Sequence, residues 1–170
     1  MASDEFDTSS LSTPSLAAYL GWHILKKGFQ AGGILAVPLA PLVQYVRQRK
    51  LVVGAVLTTA GVTVAGATAL TAALGAARFT QLDRDGFADR CYRLYFNEGQ
   101  RRTDLFSGAG AAGGLALTWA MARPALPLQL VGGAALGNAV GVALHLASQP
   151  QSQRTANQAL TIIRDEASGA

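Results

Sequence analysis

The stretch that decides the fold is Leu51–Ala77, LVVGAVLTTAGVTVAGATALTAALGAA. It contains no Asp, Glu, Lys, Arg or His over 27 residues. As a helix it rises about 40 Å, enough to cross a hydrocarbon core of roughly 30 Å with some tilt. A water-soluble bundle could hide one such helix at its centre. Further uncharged stretches on both sides make that reading the weaker one.

Working outward, the chain reads as all-α, a membrane protein of four transmembrane helices at about 28–46, 51–77, 105–122 and 126–147. Lys26 and Lys27 split the first apolar stretch. Its buried part is therefore expected to start at Gly28, with LAAYLGWHIL lying at the interface and Tyr19 and Trp22 at headgroup level. The lysine stems can snorkel. Pro38 and Pro41 are expected to kink or end this helix. Arg47, Arg49 and Lys50 form a basic turn before segment two, and Arg78 stops that segment. A charged loop covers 78–104, and Arg123 and Pro124 close segment three. Residues 1–15 read as a flexible polar tail and 148–170 as a polar C-terminal tail. Within the latter, TANQALTIIRDE is expected to form a short surface helix with Leu160 and Ile163 on one side.

Four crossings put both termini on one side. A plain Lys/Arg count would place the termini and the long loop inside. The arginines of that loop are interleaved with acids, however, and RQRK at 47–50 is the densest uncompensated cluster, so the rule does not decide sidedness. The N-terminal MASDEFDTSSLSTPS has three acids and no basic residue before Lys26, unlike an Arg-rich presequence or a secretory signal. Any organelle targeting is expected to be internal.

The net charge of +4 lies mostly outside the apolar segments and fits loops near lipid headgroups. No Lys/Arg cluster interleaved with aromatics points to nucleic acid. The single cysteine, Cys91, excludes an intrachain disulfide framework and a thiolate-only zinc site.

Small residues recur at steps of four. Segment one has Gly28, Gly32, Ala36 and Ala40, and segment two Gly61, Ala65, Ala69, Ala73 and Ala77. Segment three has Ser107 and Ala111 with Gly110 and Gly114 one position round, and segment four has Gly133, Gly137 and Gly141. In lipid little hydrophobic drive joins helices, so close backbone approach across small faces must supply association. Ridges on all four segments predict tight packing, within the chain or against a partner. An Ala/Gly-rich composition alone yields some such spacings. Thr58, Thr59, Thr63, Thr68 and Thr71 are expected to return hydrogen bonds to carbonyls of their own helix.

No acid lies at membrane depth, which argues against a proton- or cation-coupled pump. Gln44 and Asn138 are expected to cap or to bond across helices. His23 and His145 would share one side, where a histidine pair can ligate haem; two interfacial histidines is the preferred reading, and no cofactor, metal or catalytic residue is assigned. GAGAAGG at 108–114 follows no strand and lacks the Lys of a phosphate loop. In the charged stretch, Phe87, Cys91, Leu94 and Tyr95 share one helical face while Asp89 and Arg93 sit one turn apart on another. This predicts an interfacial helix ending near Asn97 and Gly99. Arg90, Arg93, Tyr95, Arg101 and Arg102 are the candidates for contact with a partner or with an anionic phospholipid such as cardiolipin. The alternative is a solvated loop that orients helices two and three.

GFQAGGILAVPLAP in segment one, GVTVAGATALTAALGAA in two, GAGAAGG in three and GGAALGNAVG in four resemble the Tim-type four-helix family of the mitochondrial inner membrane, over roughly 16–147. That family includes protein-import channel subunits and a non-catalytic accessory subunit of respiratory complex I. The import members carry acids or a disulfide pair near the helices. This chain has one cysteine and no intramembrane acid, so the resemblance implies the accessory role. The first expectation is a structural subunit of a multi-protein membrane complex in the inner mitochondrial membrane. An import-channel subunit and a haem-bearing anchor are the alternatives.

Overall fold

The structure is a computed structural model that describes residues 8, 10–121 and 125–149. Five helices follow one another: α1 (Thr13–Gln48), α2 (Val53–Phe79), α3 (Arg84–Tyr95), α4 (Glu98–Met121) and α5 (Pro127–Ser148). No strand occurs among the described residues. Three helices, α1, α2 and α5, are long and apolar enough to cross a membrane.

Local chemistry sets most helix ends. Proline opens α1 and α5, where its missing N–H belongs to the unpaired first turn anyway. At the end of α1, Arg49 adopts a left-handed conformation with φ of 54° and returns its N–H to the Tyr45 carbonyl. Asp83 caps α3 by accepting from the Gly86 N–H at 2.8 Å, and Asn97 accepts from the Gln100 N–H at 2.9 Å at the start of α4. Along α2 all five threonines named above donate to the carbonyl four residues back, at 2.7–2.9 Å. Each hydroxyl is thus satisfied without leaving its helix.

α5 is the centre of the bundle. It packs against α1, α2 and α4, while α1 and α2 form a hairpin and α3 lies on the N-terminal half of α1. That last contact is an apolar cluster of Leu16, Leu20, Phe87 and Cys91, edged by Phe79 and Leu94. The face expected for the interfacial helix is therefore the face that docks, and it docks on the chain itself. The start of α1, the start of α4 and the end of α5 lie together: Asp104 bonds Lys26, and Gly141 abuts Phe106.

Several boundaries differ from the sequence expectation. α1 is one continuous helix of 36 residues, running through Lys26 and Lys27 without a break. Lys26 and Lys27 do not interrupt it because Asp104 of α4 bonds both. The helix also runs on past Pro38 and Pro41 to Gln48. The stretch 78–104 is mostly helical, with α3 inside it and the first turns of α4 at its end. α4 is absent from the three membrane-length apolar helices because it opens with Glu98, Arg101, Arg102 and Asp104. The expected helix at TANQALTIIRDE, the closing residues Arg123 and Pro124, and most of the two tails lie outside the described residues.

Candidate functional site: a glycine-built core with a polar tie

The helix contacts are made where side chains are missing. Between α4 and α5, Gly110 and Gly114 face Gly137 and Gly133, and Gly141 abuts the Phe106 carbonyl. A Cβ at any of these positions would run into backbone or, at Gly133, into the Thr118 hydroxyl. Between α2 and α5, Gly61 meets the Leu128 carbonyl and Gly132 meets the Leu57 carbonyl, a reciprocal pair. Between α1 and α2, a Cβ on Gly28 would lie 2.9 Å from the Thr68 Cα, and one on Gly32 2.9 Å from the Val64 Cα. Such spacing lets backbones touch and brings dispersion and weak Cα–H contacts into play.

Gly28, Gly32, Gly61, Gly110, Gly114, Gly133, Gly137 and Gly141 therefore stand at helix contacts. Ala65 and Ala69 do not: both are exposed, as are Ala73 and Ala77 beyond them. A helix turns about 100° per residue, so each step of four drifts about 40°; Gly61 already stands about 40° round from Leu57, and Ala65 and Ala69 follow at about 80° and 120°, off the packed face. The face of α2 that packs uses steps of three and four instead, through Leu57, Gly61, Val64, Thr68, Thr71 and Gly75. The α1 series stays buried to Ala40 because Ala36 and Ala40 go on to pack against Ala60. Gly33 and Gly132, which no four-step ridge includes, face α5 and α2 respectively.

A polar tie crosses the bundle near one end. Asp104 accepts from Lys26 at 2.5 Å, Lys27 at 3.2 Å, Gln30 at 2.9 Å and Gln100 at 2.7 Å. Partial burial works against the charged carboxylate, but the hydrogen bonds from Lys26, Gln30 and Lys27 outweigh it and hold Asp104 well below the usual carboxylate range. One turn deeper, Asn138 of α5 is fully buried. Its amide donates to the carbonyls of Phe29 and Gln30 on α1, at 3.5 and 3.3 Å, and its oxygen accepts from Ser107 of α4 at 2.5 Å. Asn138 thus joins three helices. Gln44 bonds across helices too, donating to the Thr59 hydroxyl at 2.6 Å.

The five candidate contact residues do not form one site. Arg101 and Arg102 of α4 are exposed and border one depression with Glu98 and Leu105. Arg93 on α3 pairs with Asp89 at 3.0 Å, Tyr95 packs edge-on to Phe96, and Arg90 lies half-buried on the same helix. The Cys91 thiol is buried and donates to the Leu16 carbonyl at 3.4 Å; burial pushes its pKa up, which makes it a poor nucleophile. His145 is buried against Phe106, while His23 lines a small cleft with Trp22, Lys26 and Asp104. Among the described residues no group of three or more His, Cys, Asp or Glu side chains could hold a metal ion.

The fold and its contacts define an all-helical protein with membrane-compatible helices packed through glycine. The chain belongs to the family described as a protein of unknown function, DUF1757, which residues 4–150 match. No curated protein matches it.

Proposed function

We propose that the chain is a non-catalytic structural subunit of a membrane complex, with α4 supplying a fourth crossing from Leu105 onward. The observation that carries this reading is the use of the bundle's surfaces. The inward faces are given to backbone contact and polar ties, and the outward faces are broadly apolar. Leu70 and Leu74 of α2 and Leu117 and Met121 of α4 are each at least 60% exposed. In water such surface would be an aggregation liability; among lipids or partner helices it is ordinary. The apolar part of α4 rises only about 25 Å, so this crossing would be short and would favour local thinning or neighbouring helices.

The resemblance to the Tim-type family leads us to assign the inner mitochondrial membrane and the accessory role in a complex I-type respiratory assembly. The chain would brace the membrane arm and hold neighbouring subunits and lipid. Native-gel proteomics of mildly solubilised mitochondria tests this. Comigration with a respiratory complex, and loss of that complex on depletion of the chain, are expected. Migration away from every respiratory complex, or crosslinks to imported precursors, would contradict it.

A further inference from the structure

The bundle leaves a groove between α1 and α4 that its own packing does not use. α4 leans on α5 through Ser107, Gly110 and Gly114, and Asp104 ties it to α1. Outside that tie the two helices part around a groove of about 350 Å³. Trp22, Leu25 and Phe29 line it from α1, and Ser107, Gly108 and Ala111 line it from α4. A Cβ on Gly108 would meet nothing within 4 Å. The groove shares Trp22, Lys26 and Asp104 with a cleft of about 70 Å³ that adds Tyr19, His23 and Arg101. Its body is thus apolar and one end is polar and cationic.

The charges at that end are unevenly matched. Asp104 is already shared by Lys26 and Lys27, and among the described residues neither Arg101 nor Arg102 takes part in an ion pair. Glu98 lies in the outer depression with both arginines but bridges neither. The cluster therefore retains positive charge where the uncharged segments begin, at Gly28 and Leu105. This is headgroup depth, and Tyr19 and Trp22 occupy the aromatic-belt position beside it.

We propose that this groove holds one acyl chain of an anionic phospholipid, with the lipid phosphate bound by Arg101 beside Lys26. The proposal rests on the membrane reading above. Its volume falls within the range of roughly 300–1,000 Å³ usual for ligand sites. A partner helix, about 10 Å across, does not fit between two helices that Asp104 ties together. The phosphate would find the fixed fork of the Arg101 guanidinium, which pairs with no carboxylate among the described residues.

The test uses the full chain, purified from membranes and exchanged into nanodiscs of phosphatidylcholine with a minor share of phosphatidylglycerol. Retained lipid is then counted by native mass spectrometry. Wild type is expected to keep a phosphatidylglycerol and no phosphatidylcholine. Gly108→Phe, whose Cβ has open space and whose ring would occupy the groove against Trp22 and Phe29, should abolish that adduct. Gly113→Phe, also in open space but outside the groove, should leave it unchanged. Arg101→Gln alters only an exposed side chain and should weaken retention about tenfold, the loss of one charge-assisted contact. Wild-type retention in Gly108→Phe or Arg101→Gln, equal retention of phosphatidylcholine, or no retained lipid in wild type would each overturn the proposal. So would a photocrosslinker at Ala111 that captures protein instead of lipid in native membranes. A chain missing from the membrane fraction at the outset would overturn the membrane reading itself, so the two failures are separable.

Discussion

Two ridges of small residues carry the same spacing and have opposite fates. On α5, Gly133, Gly137 and Gly141 lie against α4. On α2, Gly61 is in contact, yet Ala65 and Ala69 face outward. Both ridges drift about 40° per step, but the three glycines of α5 are all set against α4, whereas Gly61 already stands about 40° round from Leu57 at the edge of the packed face of α2, so the next steps carry Ala65 and Ala69 out of contact. A small-xxx-small series is therefore a contact surface only over the length for which helix geometry keeps it facing one partner.

The contrast can be broken most sharply at Gly137. Gly137→Leu should drive a side chain into the α4 backbone at Gly110 and Gly114 and cost about 3 kcal/mol or more, since backbone cannot give way as a rotamer can. Loss of α4–α5 packing is expected as a large drop in the melting midpoint of the detergent-solubilised chain. Gly132→Ala should cost about 1–3 kcal/mol by forcing α5 off the Leu57 carbonyl, and it checks whether one methyl is felt at the reciprocal α2 contact. Asn138→Ala leaves the Ser107 hydroxyl unpaired and should cost about 1–2 kcal/mol. Asp104→Asn comes next at about 1 kcal/mol, between the exposed and buried extremes for ion pairs. The Asp104 carboxyl titrates lower in the folded chain than in the unfolded one. Its contribution is complete above the ordinary carboxylate pKa of about 3.9 and fades as the pH falls below that value, so the gap between Asp104→Asn and wild type should close in acid. Ala69→Leu marks the small end. Its effect should stay within about 0.5 kcal/mol, as for exposed sites generally.

Some of this was legible in the residues and some was not, for physical reasons. α2 and α5 could be read because an uncharged run has few other homes. α3 could be read because Phe87, Cys91 and Leu94 repeat at helical spacing. The tie that carries α1 through its two lysines was not legible, because a hydropathy reading sees Lys26 and Lys27 and cannot see Asp104, which lies 78 residues from Lys26. The same blindness made 78–104 look like a loop, although its last charged residues are the first turns of α4. Gly33 and Gly132 were overlooked because each stands beside a four-step ridge and contacts a different neighbour. Which arginines stand together was equally hidden: Arg101 reaches the cleft beside Lys26 only because α4 returns to the start of α1.

The most direct measurement is a lipid-accessibility map of the purified chain in liposomes. A bilayer-confined photoactivated carbene probe would be read out by peptide mass spectrometry. The account predicts label on Ala65, Ala69 and Leu70 of α2 and on Leu115 and Leu117 of α4, with none on Ala135, Asn138 or Gly141 of α5. Label on those α5 residues, or none on α2 and α4, would contradict a membrane-embedded bundle centred on α5.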